Sequence, residues 1–181
     1  MGHGLKRTVT LVGMMGSGKS AVGDALARMV GAPFLDSDAE IVRATGMPVA
    51  DIFKRDGEAR FRRQETLAIA RLLEGPPGIL STGGGAFLSK ENRRLISKAG
   101  VSVWLRAEVD LLWSRVRRKN TRPLLHTEDP HRRLRELCAE REPFYAMADL
   151  AVDARAHYEI EDMAGKVLEA LLERSGAVEK T

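Results

Sequence analysis

Gly13-Met14-Met15-Gly16-Ser17-Gly18-Lys19-Ser20 fits the pattern G-x-x-x-x-G-K-[ST], and its flanks suit it. The run Thr8–Val12 before it reads T-V-T-L-V, a strand, and a helical pattern begins at about Lys19. Glycines at this spacing let successive backbone N–H groups turn inward around phosphate oxygens, where a side chain would collide. The helix beyond Gly18 aims the positive end of its dipole at the same anion. Lys19 can then reach the β- and γ-phosphates, and the Ser20 hydroxyl can ligate Mg2+. A Gly-rich turn ahead of an amphipathic helix can also arise without function. Motif and context together indicate a nucleoside triphosphate site and say nothing of the acceptor.

Outward from this loop, apolar β-branched runs alternate with longer helical patterns, the signature of a parallel α/β sheet. The helix from about Lys19 presents Ala21, Val22, Ala25, Leu26 and Met29 as an apolar face and stops near Gly31. Pro33-Phe34-Leu35 is a short second strand with Asp36 and Asp38 at its carboxyl end. Helices are expected over about 39–45 and about 49–73, ahead of the break at Gly75-Pro76-Pro77-Gly78. A third strand, 79–82, ends in Gly83-Gly84-Gly85. Helices at about 89–99, 109–118, 130–147 and 160–173 enclose strands at 101–105 and 150–152, and 175–181 reads as a frayed tail. At 181 residues the chain is expected to be a single domain, 1–181.

Composition narrows the function classes. No apolar run approaches the roughly 20 residues needed to span a bilayer, so a membrane role is not expected. The lone Cys138 makes no internal disulfide, reads as a packed thiol and suits a reducing cytoplasm. Lys and Arg number 29 against 25 Asp and Glu, giving a net charge of +4. The five Phe, two Trp and two Tyr do not interleave with the basic clusters as stacking platforms would, so anionic small molecules are favoured over nucleic acid as partners.

Asp36-Ser37-Asp38 sits at the sheet edge where open α/β folds bind ligands. On an extended segment residues two apart point the same way, so one carboxylate could assist Mg2+ (Asp36) and one could orient an acceptor hydroxyl (Asp38). The same residues could instead close an Asx-turn and cap the next helix. Phe53, Phe61 and Glu65 could line an apolar-walled cup in which Arg62 offers a planar fork to a carboxylate; a solvated basic helix face is the equal alternative. The triplet Gly83-Gly84-Gly85 permits close backbone approach with free N–H groups. Arg115, Arg117, Arg118, Lys119 and Arg122 form a basic block suited to a lid that brings positive charge to a phosphoryl group, or to a solvated loop. Arg141 alone could be an ordinary surface charge beside Glu140 and Glu142.

In order and spacing these segments resemble shikimate kinase, from about Thr8 to Leu172. The resemblance rests on the phosphate loop, Asp36-x-Asp38, Phe53-x-x-x-Gly57-Glu58-x-x-Phe61-Arg62, the glycine triplet, Arg122-Pro123-Leu124-Leu125, and Arg141 ahead of Pro143 and Tyr145. It implies a three-layer α/β/α P-loop kinase fold of the nucleoside monophosphate kinase type, with a five-stranded parallel sheet in order 2-3-1-4-5, helices on both faces and a mobile lid at about 117–129. It implies phosphorylation of the shikimate 3-hydroxyl by ATP with Mg2+, toward chorismate and the aromatic amino acids, by a monomer. By this likeness Gly13, Gly16, Ser17, Gly18, Lys19, Ser20 and Ala21 hold the nucleotide, with Arg115 near adenine and Arg122 on the phosphates. Ser20 and Asp36 serve the metal. Asp38 orients the hydroxyls and acts as base; Lys19, Asp38 and Arg122 form the catalytic set. Arg62 and Arg141 hold the shikimate carboxylate, with the Gly84 backbone beside the ring hydroxyls and Gly83 and Gly85 also binding substrate, and Phe53, Phe61 and Glu65 shape the acceptor pocket, within a segment at about 37–66. The chain departs from the family pattern at Arg155-Ala156-His157, which lacks an expected proline and leaves the carboxyl-terminal adenine contact unassigned.

Overall fold

A computed structural model describes residues 2–119 and 123–181. The central strand β2 (Thr8–Val12) is buried throughout, as its unbroken T-V-T-L-V run requires. It pairs in parallel with β4 (Ile79–Ser81) on one side and β5 (Gly100–Arg106) on the other. Strand β3 (Phe34–Asp36) extends the sheet beyond β4, and β6 (Leu150–Asp153) extends it beyond β5. The order is β3-β4-β2-β5-β6, which is 2-3-1-4-5 once these five parallel strands are counted by themselves.

Side-chain alternation along β2 and β5 divides the core into two layers. Val9, Leu11, Val101, Val103 and Leu105 pack under helices α1 (Lys19–Val30) and α8 (Ile160–Arg174). Val12 and Trp104 point to the opposite face, against α4 (Glu58–Glu74), α5 (Lys90–Ala99), α6 (Val109–Val116) and α7 (Pro130–Tyr145). A third, smaller cluster of Ile41, Ile52, Phe61 and Ala68 joins α2 (Ser37–Thr45) and α3 (Val49–Asp56) to α4. No helix among the described residues is long and apolar enough to cross a membrane.

Four expectations change. The helix expected over 49–73 is two helices, α3 and α4, because Gly57 between them sits at φ 83°, ψ 170°. Only glycine takes that conformation without strain, and the break turns Phe61 back toward Phe53 with ring centroids 4.5 Å apart. Second, the tail at 175–181 is not frayed: β7 (Val178–Lys180) pairs antiparallel with β1 (His3–Leu5), burying Ala177 and Val178. The third is Met29, expected on the apolar face of α1, which is 37% exposed while Val30 takes the buried place.

The fourth is the geometry of the paired carboxylates. Asp38 lies in the first turn of α2, not on an extended segment, so the two carboxylates are not carried side by side by a strand. Asp36 caps that helix, its Oδ1 accepting from the N–H groups of Asp38 (2.9 Å) and Ala39 (3.1 Å). The Asx-turn reading of this segment is therefore realised, and it is what aims Asp38.

Candidate active site

On the donor side, the loop after β2 wraps a cleft of about 620 Å³ lined by Met15 through Val22. Lys19 is 8% exposed and donates to the carbonyls of Gly13 and Met14, each at 2.8 Å. Its ammonium is thereby held over the loop, where a phosphate chain would lie. Arg115, from α6, donates to the Gly16 carbonyl at 3.0 Å, and Gly16 leaves no room for a side chain, since a Cβ would meet Val116 at 2.7 Å. Arg155 and Tyr158 line the same cleft. They are residues that sequence reasoning left unassigned, and they come from the loop after β6, so only the fold brings them there.

Across a shared wall lies a smaller cavity of about 280 Å³. Its apolar side is Val49, Phe53 and Phe61; its polar side is Asp38, Arg62, Glu65 and Arg141. Each glycine of the triplet faces a different one of these polar groups. A Cβ on Gly83 would lie 3.1 Å from Glu65 Oε2 and 3.4 Å from Asp38 Oδ1; on Gly84, 3.2 Å from Arg141; on Gly85, about on top of Arg62. The close approach anticipated for the triplet is thus an approach to four side chains at once. Asp38, Met15, Gly83 and Gly84 line both cavities, so the Asp38 carboxylate stands at their junction.

The two arginines reach the cup differently. Arg141 is 6% exposed, which removes the surface-charge reading of this residue. The Arg62 side chain, 29% exposed, bonds Glu65 Oε1 at 2.9 Å and Glu58 Oε1 at 3.3 Å, with its guanidinium over the Phe61 ring. Glu65 is fully buried, and burial pushes its carboxyl above the usual range; the adjacent Arg62 charge opposes that shift and Asp38 adds to it. Its Oε2 has no hydrogen-bond partner among the described residues. The cup therefore sets two guanidinium groups beside two carboxylates. Arg62 is already paired with Glu58 and Glu65, and the two forks together suit an acidic ligand.

Three polar residues to which sequence reasoning gave no site role, Tyr145 having entered only as part of the family pattern, hold the triplet in place. Thr82 donates to the Leu11 carbonyl, tying the triplet's start to β2. Buried Asn92 donates to the Ala86 carbonyl and accepts from Thr66, fixing the turn that follows. The Tyr145 hydroxyl donates to the Gly84 carbonyl. A lone hydroxyl or amide in a strand end or helix carries no sequence signal of such a partner. Of the expected site residues, Arg122 lies outside the described residues, and Asp36 is not among those lining either cavity. Leu124, in the turn Pro123–Leu125, reaches the rim of the acceptor cavity.

A phosphate-binding loop between strand and helix, opening past a carboxylate onto a small cup with two arginines, defines a P-loop phosphotransferase for a small acidic acceptor. The family model described as Shikimate kinase matches residues 15–172. The chain is 57% identical to the shikimate kinase of Ruegeria pomeroyi over 97% of its own length and 90% of that protein's. It is 56% identical to that of Cereibacter sphaeroides, over 97% and 87%. Among solved structures, the shikimate kinase of Acinetobacter baumannii in complex with shikimate superposes with a TM-score of 0.88 at 38% identity, covering 92% of this chain and 93% of that one. A gluconokinase from Sinorhizobium meliloti, at 19% identity and a TM-score of 0.64 over 96% and 95%, shares the fold alone. The chain belongs to the shikimate kinase family.

Proposed function

We infer that this chain transfers the γ-phosphoryl group of ATP to the 3-hydroxyl of shikimate, a step toward chorismate and the aromatic amino acids. The observation that carries the reading is Asp38 on the wall between the two cavities, with Arg62 and Arg141 converging on the glycine triplet behind it. Shikimate is a ring bearing a carboxylate at one end and hydroxyls at the other. Its carboxylate takes the two arginines, its apolar ring edge lies along Phe53 and Phe61, and a hydroxyl meets Asp38. That hydroxyl oxygen bonds to the γ-phosphorus in line as the bond to the β–γ bridging oxygen breaks, and ADP leaves. Asp38 accepts the hydroxyl proton.

Lys19 and the loop N–H groups neutralise the charge spread over the transferring group. Arg122, within the lid segment 117–129 and matched to the family's phosphate-side arginine, would add positive charge there, and Arg115 serves the adenine side. The residues suit Mg2+ as hard oxygens: the Ser20 hydroxyl beside the phosphate cleft, 3.3 Å from that of Ser81, and, set back from it, the Asp36 carboxylate, which is in register with Ser81 and has its Oδ1 taken by the α2 cap. Ser20 directly and Asp36 through water would hold the ion, which supplies charge neutralisation at the β- and γ-oxygens. A monomer is the state the resemblance implies, and a free thiol at Cys138 fits the cytoplasm.

The test is a coupled ADP-release assay offering shikimate, gluconate and a nucleoside monophosphate in parallel. Turnover with shikimate alone is expected. Turnover with gluconate and none with shikimate would overturn the assignment.

A further inference from the structure

Gly84 is where the donor and acceptor cavities share backbone, and it is crowded from both sides. A Cβ there would lie 3.2 Å from the Arg141 guanidinium and 3.6 Å from the Met15 nitrogen. Its carbonyl accepts a hydrogen bond from Tyr145, which is 1% exposed and whose hydroxyl oxygen also lies 3.6 Å from Met14 Sδ. Arg141 and Tyr145 are four residues apart on α7, so one helix face delivers both side chains to the same glycine. Tyr145 thus touches the phosphate loop, the glycine triplet and the helix that carries an acceptor arginine.

We propose that Tyr145 is a positioning residue for phosphoryl transfer, holding the Gly84–Gly85 peptide in the orientation that presents the acceptor to the donor. This rests on the functional reading above. The peptide lies between two glycines, so no Cβ limits its rotation, and a hydrogen bond to its carbonyl is an effective restraint. Because the peptide is planar and trans, fixing the carbonyl on Tyr145 turns the Gly85 N–H to the opposite side, away from α7. Gly85 borders the acceptor cavity, so this N–H becomes a fixed donor for an acceptor oxygen. Burial pushes the Tyr145 phenol above its usual range, against the pull of the neighbouring Arg141 charge, so the hydroxyl remains a donor at neutral pH.

Tyr145→Phe keeps the ring beside Trp104, 6.0 Å between centroids, and removes only the hydroxyl, with its bond to the Gly84 carbonyl and its contact with Arg141. The kcat/KM for shikimate is expected to fall on the order of tenfold, the scale of one buried hydrogen bond, with the KM for ATP within about twofold of wild type. Val178→Ala serves as a stability control: it trims a buried contact of the terminal ribbon, lowering Tm with both KM values unchanged. A Tyr145→Phe enzyme with wild-type kcat/KM for shikimate overturns the positioning role. So does one that behaves as Val178→Ala does, with a lower Tm and both KM values unmoved. Wild-type enzyme run alongside separates the two readings. If it does not turn over shikimate, the acceptor assignment falls and the positioning role with it; if it does and the variant is unaffected, the positioning role falls alone.

Discussion

The two halves of the active site are built on different principles. The donor half is contiguous: residues 13–20 supply the loop, the lysine and the Ser20 hydroxyl, and most of its polar contacts are backbone groups or end on them. The acceptor half is assembled from side chains on α2, α4 and α7 that meet only around the triplet after β4. A site made of backbone is robust to single side-chain changes but fixed in chemistry. A site made of converging side chains can be specific for one small acid, and each of those side chains is separately vulnerable.

The sharpest way to test that division is at the junction. Asp38→Asn keeps the shape and the α2 cap, since Asp36 supplies the cap, but removes the proton acceptor. We expect kcat to fall by about 10²–10⁴, the range for loss of a positioned general base, while nucleotide affinity measured by titration stays unchanged. Near wild-type turnover would remove Asp38 as base. A large loss of ATP affinity would show that the halves are not separable.

The next effect should fall on the acceptor side alone. Arg141→Ala removes a buried guanidinium, and charge-assisted bonds of about 1.5–3 kcal/mol translate to roughly 10–100-fold in the KM for the acceptor. Arg62→Ala should also weaken acceptor binding, but by less, about tenfold or under, because Arg62 is partly exposed and already balanced by Glu58 and Glu65. An unchanged acceptor KM in either variant would take that arginine out of the site. Gly85→Ala sharpens the point: its Cβ would displace the Arg62 guanidinium without deleting it, so the acceptor KM should rise several-fold, not beyond the Arg62→Ala value.

The same division explains what the sequence disclosed. The phosphate loop was legible because its chemistry is local: eight consecutive residues fix glycines, lysine and hydroxyl, and the flanking strand and helix follow from periodicity. The strands of the parallel sheet were accessible for a like reason, with β2 and β5 written as β-branched and apolar runs, whereas their order came only with the family resemblance. Arg62 and Arg141 could not be told from surface charges without a family pattern, because what marks them is convergence on Gly84 and Gly85, a tertiary fact. The split at Gly57 was hidden by helical periodicity on both sides of one glycine, and the β1–β7 ribbon by its length of three residues a strand. Thr82 and Asn92 were silent altogether, and Tyr145 gave no hint of its role beyond its place in the family pattern, since each has as partner a backbone carbonyl brought near by folding.

The smallest expected effect concerns how the acceptor half is held rather than what it does. Glu40 on α2 pairs with Arg43 at 2.6 Å and with Arg71 of α4 at 3.1 Å, clasping the helix that carries Asp38 to the helix that carries Arg62. The bond from Arg43, helped by Arg71 and opposed by burial, lowers the Glu40 carboxyl from 4.5 to about 2. A depressed carboxylate contributes stability that is present above its unfolded value and lost as pH falls from there through its folded value, here the window between 4.5 and about 2. Glu40→Gln should therefore cost roughly 0.5–1 kcal/mol at pH 7 in urea unfolding, and the gap from wild type should narrow as pH drops through that window. ATP affinity should not change, because nothing in the donor half depends on this clasp; a modest rise in acceptor KM is expected as α2 loosens on α4. A gap that stays constant down to the lower end of the window would mean that Glu40 does not hold the two helices by its charge, and that packing of Ile41, Ile52, Phe61 and Ala68 fixes the acceptor half unaided.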